Sequence, residues 1–225
     1  MRLAPVVLAA CTVALPALAS ETRSASGFNR IDLVAPVDLE VRPGKFGITL
    51  EMDSEVARHL RTDVQGDTLR ITMDGWNINV HGKQRVKVTM PELRSLHIQG
   101  SGDADIAGFK DAEKVELRIS GSGDVKYAGS SGGLAVSIEG SGDVVLSDGQ
   151  TGSLQANIEG SGNLKAGGFK AKNVSVSIDG SGDADIRVAG GALSASVNGS
   201  GDIRWTGDAS AVSAATHGSG SIAKR

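Results

Sequence analysis

Aromatic side chains make up only 3% of this chain, and its single cysteine, Cys11, lies in an apolar N-terminal run. The first shortage excludes a wide core filled with rings and calls for a narrow one lined by aliphatics. The second excludes a fold stapled by disulfides, so packing and backbone hydrogen bonds must hold it. Basic residues form no block either, with 23 lysines and arginines against 26 acidic residues and a net charge of −3. A phosphate-driven nucleic-acid surface has no support in such a sequence. Past residue 19 no long apolar segment recurs, so no membrane-spanning helix is expected.

The apolar run at the start reads as a secretory leader over residues 1–19. Met1-Arg2 precedes an alanine-rich stretch ending in Ala17-Leu18-Ala19, small residues suited to a cleavage site, with Ser20 as the new terminus. Cleavage would leave 206 residues with no thiol, and 22 basic against 26 acidic side chains. A competing reading takes Leu8-Ala9-Ala10-Cys11 as a bacterial lipobox, with Cys11 lipidated. On either reading the protein is exported, to the periplasm or beyond the cell.

Glycine is what the chain has in excess, and much of it sits in one repeated tripeptide. Gly-Ser-Gly begins at Gly100, Gly121, Gly140, Gly160, Gly180, Gly199 and Gly218, at spacings of 21, 19, 20, 20, 19 and 19 residues. Self-similarity at that period, with one identical turn per period, predicts stacked coils.

Looking back from each first glycine, side chains alternate. Two residues before it stand Ile98, Ile119, Ile138, Ile158, Ile178, Val197 and Thr216. Four before it stand Leu96, Leu117, Val136, Ala156, Val176, Ala195 and Ala214. Such alternation marks a strand with one buried face, and the intervening His97, Arg118, Ser137, Asn157 and Ser177 would meet water. After the turn the pattern resumes with Ala104, Val125, Val144, Leu164, Ala184, Ile203 and Ile222, then Ile106, Tyr127, Leu146, Ala166, Ile186 and Trp205.

Each period therefore supplies two inward-facing strands joined at a glycine corner and followed by a variable second turn. The prediction is an all-β, parallel β-solenoid (β-helix) of about 20 residues per coil. Seven such turns at the spacing of neighbouring strands extend the sheet by roughly 30 Å. Either glycine of a corner, the first or its partner at Gly102, Gly123, Gly142, Gly162, Gly182, Gly201 or Gly220, answers a need for positive φ or for close approach of the next coil. Ser101, Ser122, Ser141, Ser161, Ser181, Ser200 and Ser219 would stack between them, hydroxyls bonding along the column.

Residues 20–93 read as a less regular N-terminal β cap with degenerate coils, and 94–225 as the repeat solenoid, in one continuous domain over 28–225. Ala35-Pro36-Val37-Asp38-Leu39-Glu40-Val41 parallels Gly140 to Leu146 as an early copy without its glycines. Phe46 to Met52, Thr68 to Met73 and Arg85 to Met90 read as strands, and Ser54 to Leu60 as one helical turn capped by Asp53 or Ser54. At the other end, Lys224-Arg225 on a last unpaired strand would guard that edge, or else belong to a frayed tail.

Chemistry is harder to find. Asp103, Asp124, Asp143, Asn163, Asp183 and Asp202 follow the corners as a column, and like charges one strand apart repel by about 1 kcal/mol per neighbour in water. The structural reading gives each side chain a hydrogen bond from nearby turn backbone, a role Asn163 fills equally well. The functional reading is a calcium ladder on Asp103, Asp124, Asp143, Asp183 and Asp202. Calcium-binding β-rolls repeat every nine residues or so and supply ligands from both sides, whereas here Asn163 interrupts a single longer series.

Glu139, Glu159 and Asp179, one residue before the turn, form three acidic steps in a column with Gln99, Ser120, Asn198 and His217. They face a partner or simply water. The repeated serines lack a Gly-x-Ser-x-Gly context, and His59, His81, His97 and His217 lack metal-ligand spacing. Only Trp76, Trp205 and Tyr127 could stack on a sugar, and the last two hold core positions. No catalytic residue and no cofactor is therefore assigned.

With these residues in view, the chain resembles the bacterial head GIN domain family. The shared elements are Phe28-Asn29-Arg30-Ile31-Asp32-Leu33, then Asp38-Leu39-Glu40-Val41 leading to Ile48-Thr49-Leu50-Glu51, Gly66-Asp67-Thr68-Leu69-Arg70-Ile71, Met90-Pro91-Glu92-Leu93, and the Gly-Ser-Gly-Asp coils. The resemblance implies a β-helical envelope protein with a suggested role as an autotransporter adhesin, and it carries no catalytic residues. Nothing after Gly220 is long enough for a translocating barrel, which needs ten or so amphipathic strands.

The expected function is thus a non-enzymatic, adhesin-like module of the cell envelope. Its partner would be an envelope protein or glycan, not nucleic acid, and it would not span the membrane. The alternatives are a polysaccharide-active β-helix enzyme and a calcium-stabilised spacer.

Overall fold

The computed structural model describes residues 19–75 and 84–225, most of them in strands. The leader and lipobox readings, and Trp76 and His81, lie outside the described residues apart from Ala19. The architecture is a β-solenoid of about 6 turns, its coils bridged in parallel about 20 residues apart.

In chain order, β1 (Ala19–Arg23), β2 (Arg30–Leu33), β3 (Asp38–Pro43) and β4 (Gly47–Met52) precede the short helix α1 (Ser54–His59). Then come β5 (Leu60–Gln65), β6 (Thr68–Met73), β7 (Arg85–Met90), β8 (Ser95–Gly100) and β9 (Ala104–Ala107). The repeats continue through β10 (Ala112–Gly121), β11 (Val125–Gly140), β12 (Val144–Gly160), β13 (Leu164–Gly180), β14 (Ala184–Ala189), β15 (Ala192–Gly199), β16 (Asp202–Asp208), β17 (Ala211–Gly218) and β18 (Ser221–Lys224).

Two parallel ladders run the length of the repeats. The leading ladder, before the glycine corner, joins β6, β2, β8 and β10, then the second halves of β11, β12 and β13, then β15 and β17. The trailing ladder, after the corner, joins β7, β3 and β9, the first halves of β11 to β13, then β14, β16 and β18.

The register is the one the alternation predicts. Ile119 lies between Ile98 and Ile138, and Gly121 between Gly100 and Gly140. From Ile98 to Val197 the isoleucine column is buried to within 1%. Burying each such side chain stabilises the fold by about 1.5–3 kcal/mol relative to exposure. Thr216 and Ala214, last in their columns, are exposed, with no further coil over them among the described residues.

Differences in coil length are absorbed away from the corners. The trailing ladder shifts register by one residue between Tyr127 and Gly129 and by three between Ala166 and Lys170, and the leading ladder resumes in step, so the glycines stay aligned. Phe109 and Phe169 fill the core behind these irregular second turns, with Phe169 edge-on to Tyr127 at 6.3 Å between ring centres. They lie off the repeat positions, which is why periodicity did not find them.

The N-terminal segment is threaded out of sequence order. Leu39 lies beside Ala104 and Val41 beside Ile106, so the glycine-free copy is a true coil in the expected register. That coil is sandwiched, with β6 and β7 on its far side and β8 and β9 on its near side. Beyond β6 and β7 the sense reverses, with β5 antiparallel to β6, β4 antiparallel to β7, and β1 antiparallel to β4.

Between β4 and β5, α1 closes the end of the core with Val56 and Ala57. The Asp53 carboxylate accepts from the Glu55 N–H at 2.9 Å, meeting one of the helix's unpaired amides. Arg23 donates to the Ala57 and Leu60 carbonyls at 2.8 and 2.7 Å, tying β1 to the helix end.

Candidate interaction surface

The trailing ladder carries the aspartate column, and its partners lie one coil away. The N–H of Asp124 donates to Asp103 Oδ1 at 2.9 Å, that of Asp143 to Asp124 at 2.8 Å, and that of Asn163 to Asp143 at 3.1 Å. The chain of bonds continues from Asp183 to Asn163, Asp202 to Asp183 and Ser221 to Asp202. Sequence reasoning placed each acceptor within its own turn. Parallel stacking instead sets the amide of the next coil over each side chain, so the ladder binds successive coils together.

Flanking cations offset the repulsion within this column. Lys165 pairs with Asp143 at 2.6 Å, and Arg204 with Asp202 at 2.7 Å and Asp183 at 3.5 Å. Partial burial works to raise the Asp143 pKa, but Lys165 and the Asn163 amides together outweigh it and hold the carboxyl below the usual range. Asp202 is lowered chiefly by the Ser221 hydroxyl and amide, helped by Arg204. Elsewhere on this face Arg42 bridges Glu40 and Asp105, Arg85 approaches Glu40, and Arg225 meets Asp185. Among the described residues, no three histidine, cysteine or carboxylate side chains converge as a metal centre.

The corner serines do not form the expected hydroxyl column. Their side chains point out to solvent, and it is the backbone that bonds between coils, the N–H of Ser161 donating to the Gly140 carbonyl at 2.9 Å. Glycine is required at the corners for two separate reasons. Gly160 has φ +120°, and a Cβ there would lie 2.5 Å from the Gly140 oxygen. Gly162 has an ordinary φ, but its Cβ would meet the Gly142 carbonyl and lie 2.6 Å from Ile138 Cγ2.

The leading ladder presents a different surface. Glu139, Glu159 and Asp179 are aligned neighbours and all exposed. Ser120 donates to Glu139 at 3.5 Å and Asn198 to Asp179 at 3.4 Å, while Glu159 has no side-chain partner among the described residues. Beside them the outward positions from β11 onward are short and uncharged, with Ser137, Asn157, Ser177 and Ser196 in one row and Ala135, Gln155, Ser175 and Ser194 in the next. The result is a flat polar face with an acidic margin.

Other candidate residues are dispersed. His97 bonds Ser120 and Gln99 at 3.2 and 3.4 Å, while His59 ends α1 and His217 lies on β17. Tyr127 and Trp205 are buried, so neither offers a ring face for a sugar. Burial pushes the Tyr127 phenol up to about 12, with the Ser131 hydroxyl opposing it.

With the element order and the glycine corners in place, the family can be stated. A family model described as a putative auto-transporter adhesin, head GIN domain, matches residues 27–209. The chain belongs to the head GIN domain family. Solved structures agree with this head GIN fold. A putative adhesin from Bacteroides fragilis shares 23% identity at a TM-score of 0.85, covering 92% of this chain and 96% of that one. A putative lipid binding protein from Parabacteroides distasonis shares 25% identity at 0.72, covering 92% and 96%. A putative adhesin from Parabacteroides merdae shares 21% at 0.69, covering 92% and 95%. The comparison with curated proteins finds no match. Among the described residues of this head GIN chain, no helix is long and apolar enough to cross a membrane.

Proposed function

We propose that this protein is an exported, non-enzymatic adhesin-like module that binds an envelope protein or glycan through its leading face. The observation that carries the reading is the contrast between the faces. On the trailing face the aspartate column is engaged by the next coil's amides and by Lys165 and Arg204. On the leading face, Glu159 and its acidic neighbours stay exposed beside rows of short polar side chains. A hydroxyl-rich or amide-rich partner finds acceptors and donors there at the regular strand spacing of about 4.8 Å.

The family's description and the leader-like sequence of residues 1–19 support export. The non-enzymatic reading is supported by the state of the trailing-face carboxylates. A glycosidase needs a poised pair of acids across a cleft, whereas here Asp143 and Asp202 are held below the usual range and Asp105 is tied to Arg42. The test is capture from envelope extracts together with a glycan array. Binding by one of them supports the reading, and silence in both removes it.

A further inference from the structure

The outward side of the leading ladder changes character at β11. On β10 it carries Lys114, Glu116 and Arg118, long and charged, with Arg118 paired to Glu116 at 3.1 Å. Their register partners on β11 are Gly133, Ala135 and Ser137. The surface steps down there, and from β11 to β15 a lane of short side chains runs along the solenoid axis, across the strands. A hollow of about 220 Å³ lies at the step, lined by Arg118, Ser137 and Asn157 among others, and a larger one of about 610 Å³ continues over Gln155, Ser175 and Ser194.

Polar side chains in this lane are free. Among the described residues, Gln155, Asn157, Ser175, Ser177, Ser194 and Ser196 make no side-chain hydrogen bond, whereas in the coils before the lane His97, Gln99, Ser120 and Arg118 are all engaged. The two rows from Ala135 and Ser137 to Ser194 and Ser196 hold no charge, and the acidic margin borders them on the corner side. Large apolar side chains are exposed elsewhere, at Phe46, Val64 and Val212, and not in these rows.

We propose that this lane binds a neutral, linear glycan laid along the solenoid axis, one sugar to each coil. The inference rests on the adhesin reading of the leading face and narrows its partner to one class. Spacing favours a sugar chain. An extended pyranose chain advances by close to the strand spacing of about 4.8 Å per sugar and so meets the same side chains at every coil, whereas a peptide strand rises about 3.3 Å per residue and falls out of step. The two rows stand roughly 7 Å apart, room for a single chain. Protein interfaces concentrate their binding in aromatic and arginine anchors, and the rows contain neither. Charge excludes an acidic polymer, because the margin repels carboxylated sugars and no cation lies in the rows to offset it. The hydroxyls of a neutral chain donate to the margin's carboxylates and exchange hydrogen bonds with the serines and amides beside them. Lys114 and Arg118 close one end of the lane.

Isothermal titration calorimetry of the purified full chain tests this. The neutral probes are linear oligomers of glucose, N-acetylglucosamine, galactose and mannose, from the disaccharide to the hexasaccharide, and oligogalacturonates form the acidic series. At least one neutral series should gain severalfold in affinity with each sugar up to the tetrasaccharide, one for each coil from β11 to β15. Ser175→Ile and, separately, Ser177→Ile fill the floor of the lane at exposed strand positions that suit a β-branched residue. Each should weaken the tetrasaccharide at least about tenfold, with an unchanged circular dichroism spectrum. Absence of binding in every neutral series, equal affinity for disaccharide and tetrasaccharide, preference for oligogalacturonate, or binding untouched by both isoleucine variants would overturn the proposal. Capture of an envelope protein alongside silence in every glycan series would overturn it too, while leaving the adhesin reading in place.

Discussion

Asp143 and Asp202 show how single residues serve this fold. Each carboxylate receives an amide from the coil that follows and is drawn below its ordinary pKa. A carboxyl whose folded pKa is depressed adds stability above its unfolded value, near 3.9, and loses it as pH falls through the folded value. The melting temperature should therefore hold across neutral pH and drop below about pH 4. Asp202→Asn should flatten that drop, and a melting temperature that rose on acidification would contradict the ladder. The column itself was legible from the Gly-Ser-Gly-Asp spacing. Its partners were not, because an amide 19 to 21 residues away is reached only through the stacking of coils.

At the scale of the element, the corner divides its work between glycine and serine. Gly160 combines positive φ with contact on the Gly140 carbonyl, so Gly160→Ala should cost about 2–4 kcal/mol and lower the melting temperature accordingly. Ser161 exposes its side chain and bonds through its backbone, so Ser161→Ala should stay within about 0.5 kcal/mol. Thermal melts of the two variants side by side check this, and equal losses would refute it. The strands themselves were readable because apolar alternation at these positions survives in every coil but the last. Phe109 and Phe169 escaped notice because bulges in the second turn break the period there.

Across the whole molecule, the solenoid separates a face that holds the coils together from a face left free. The parallel stack and its coil length could be read from the spacing of the corners. The placing of β2 and β3 between later strands could not, because pairing order in a parallel sheet is set by three-dimensional closure and leaves no mark on local pattern. Exposure of the leading face follows from the alternation, but its contrast with the trailing face appears only when Lys165 and Arg204 are seen on the aspartates. That contrast is the central claim, and one binding measurement tests it directly. Retention on an envelope fraction should be compared for wild type, for a leading-face variant (Glu139→Gln, Glu159→Gln, Asp179→Asn) and for a trailing-face variant (Lys126→Gln, Asp105→Asn). The account predicts that the first variant loses at least about tenfold in affinity, or 1.4 kcal/mol, while the second binds like wild type. Loss confined to the trailing-face variant would contradict it.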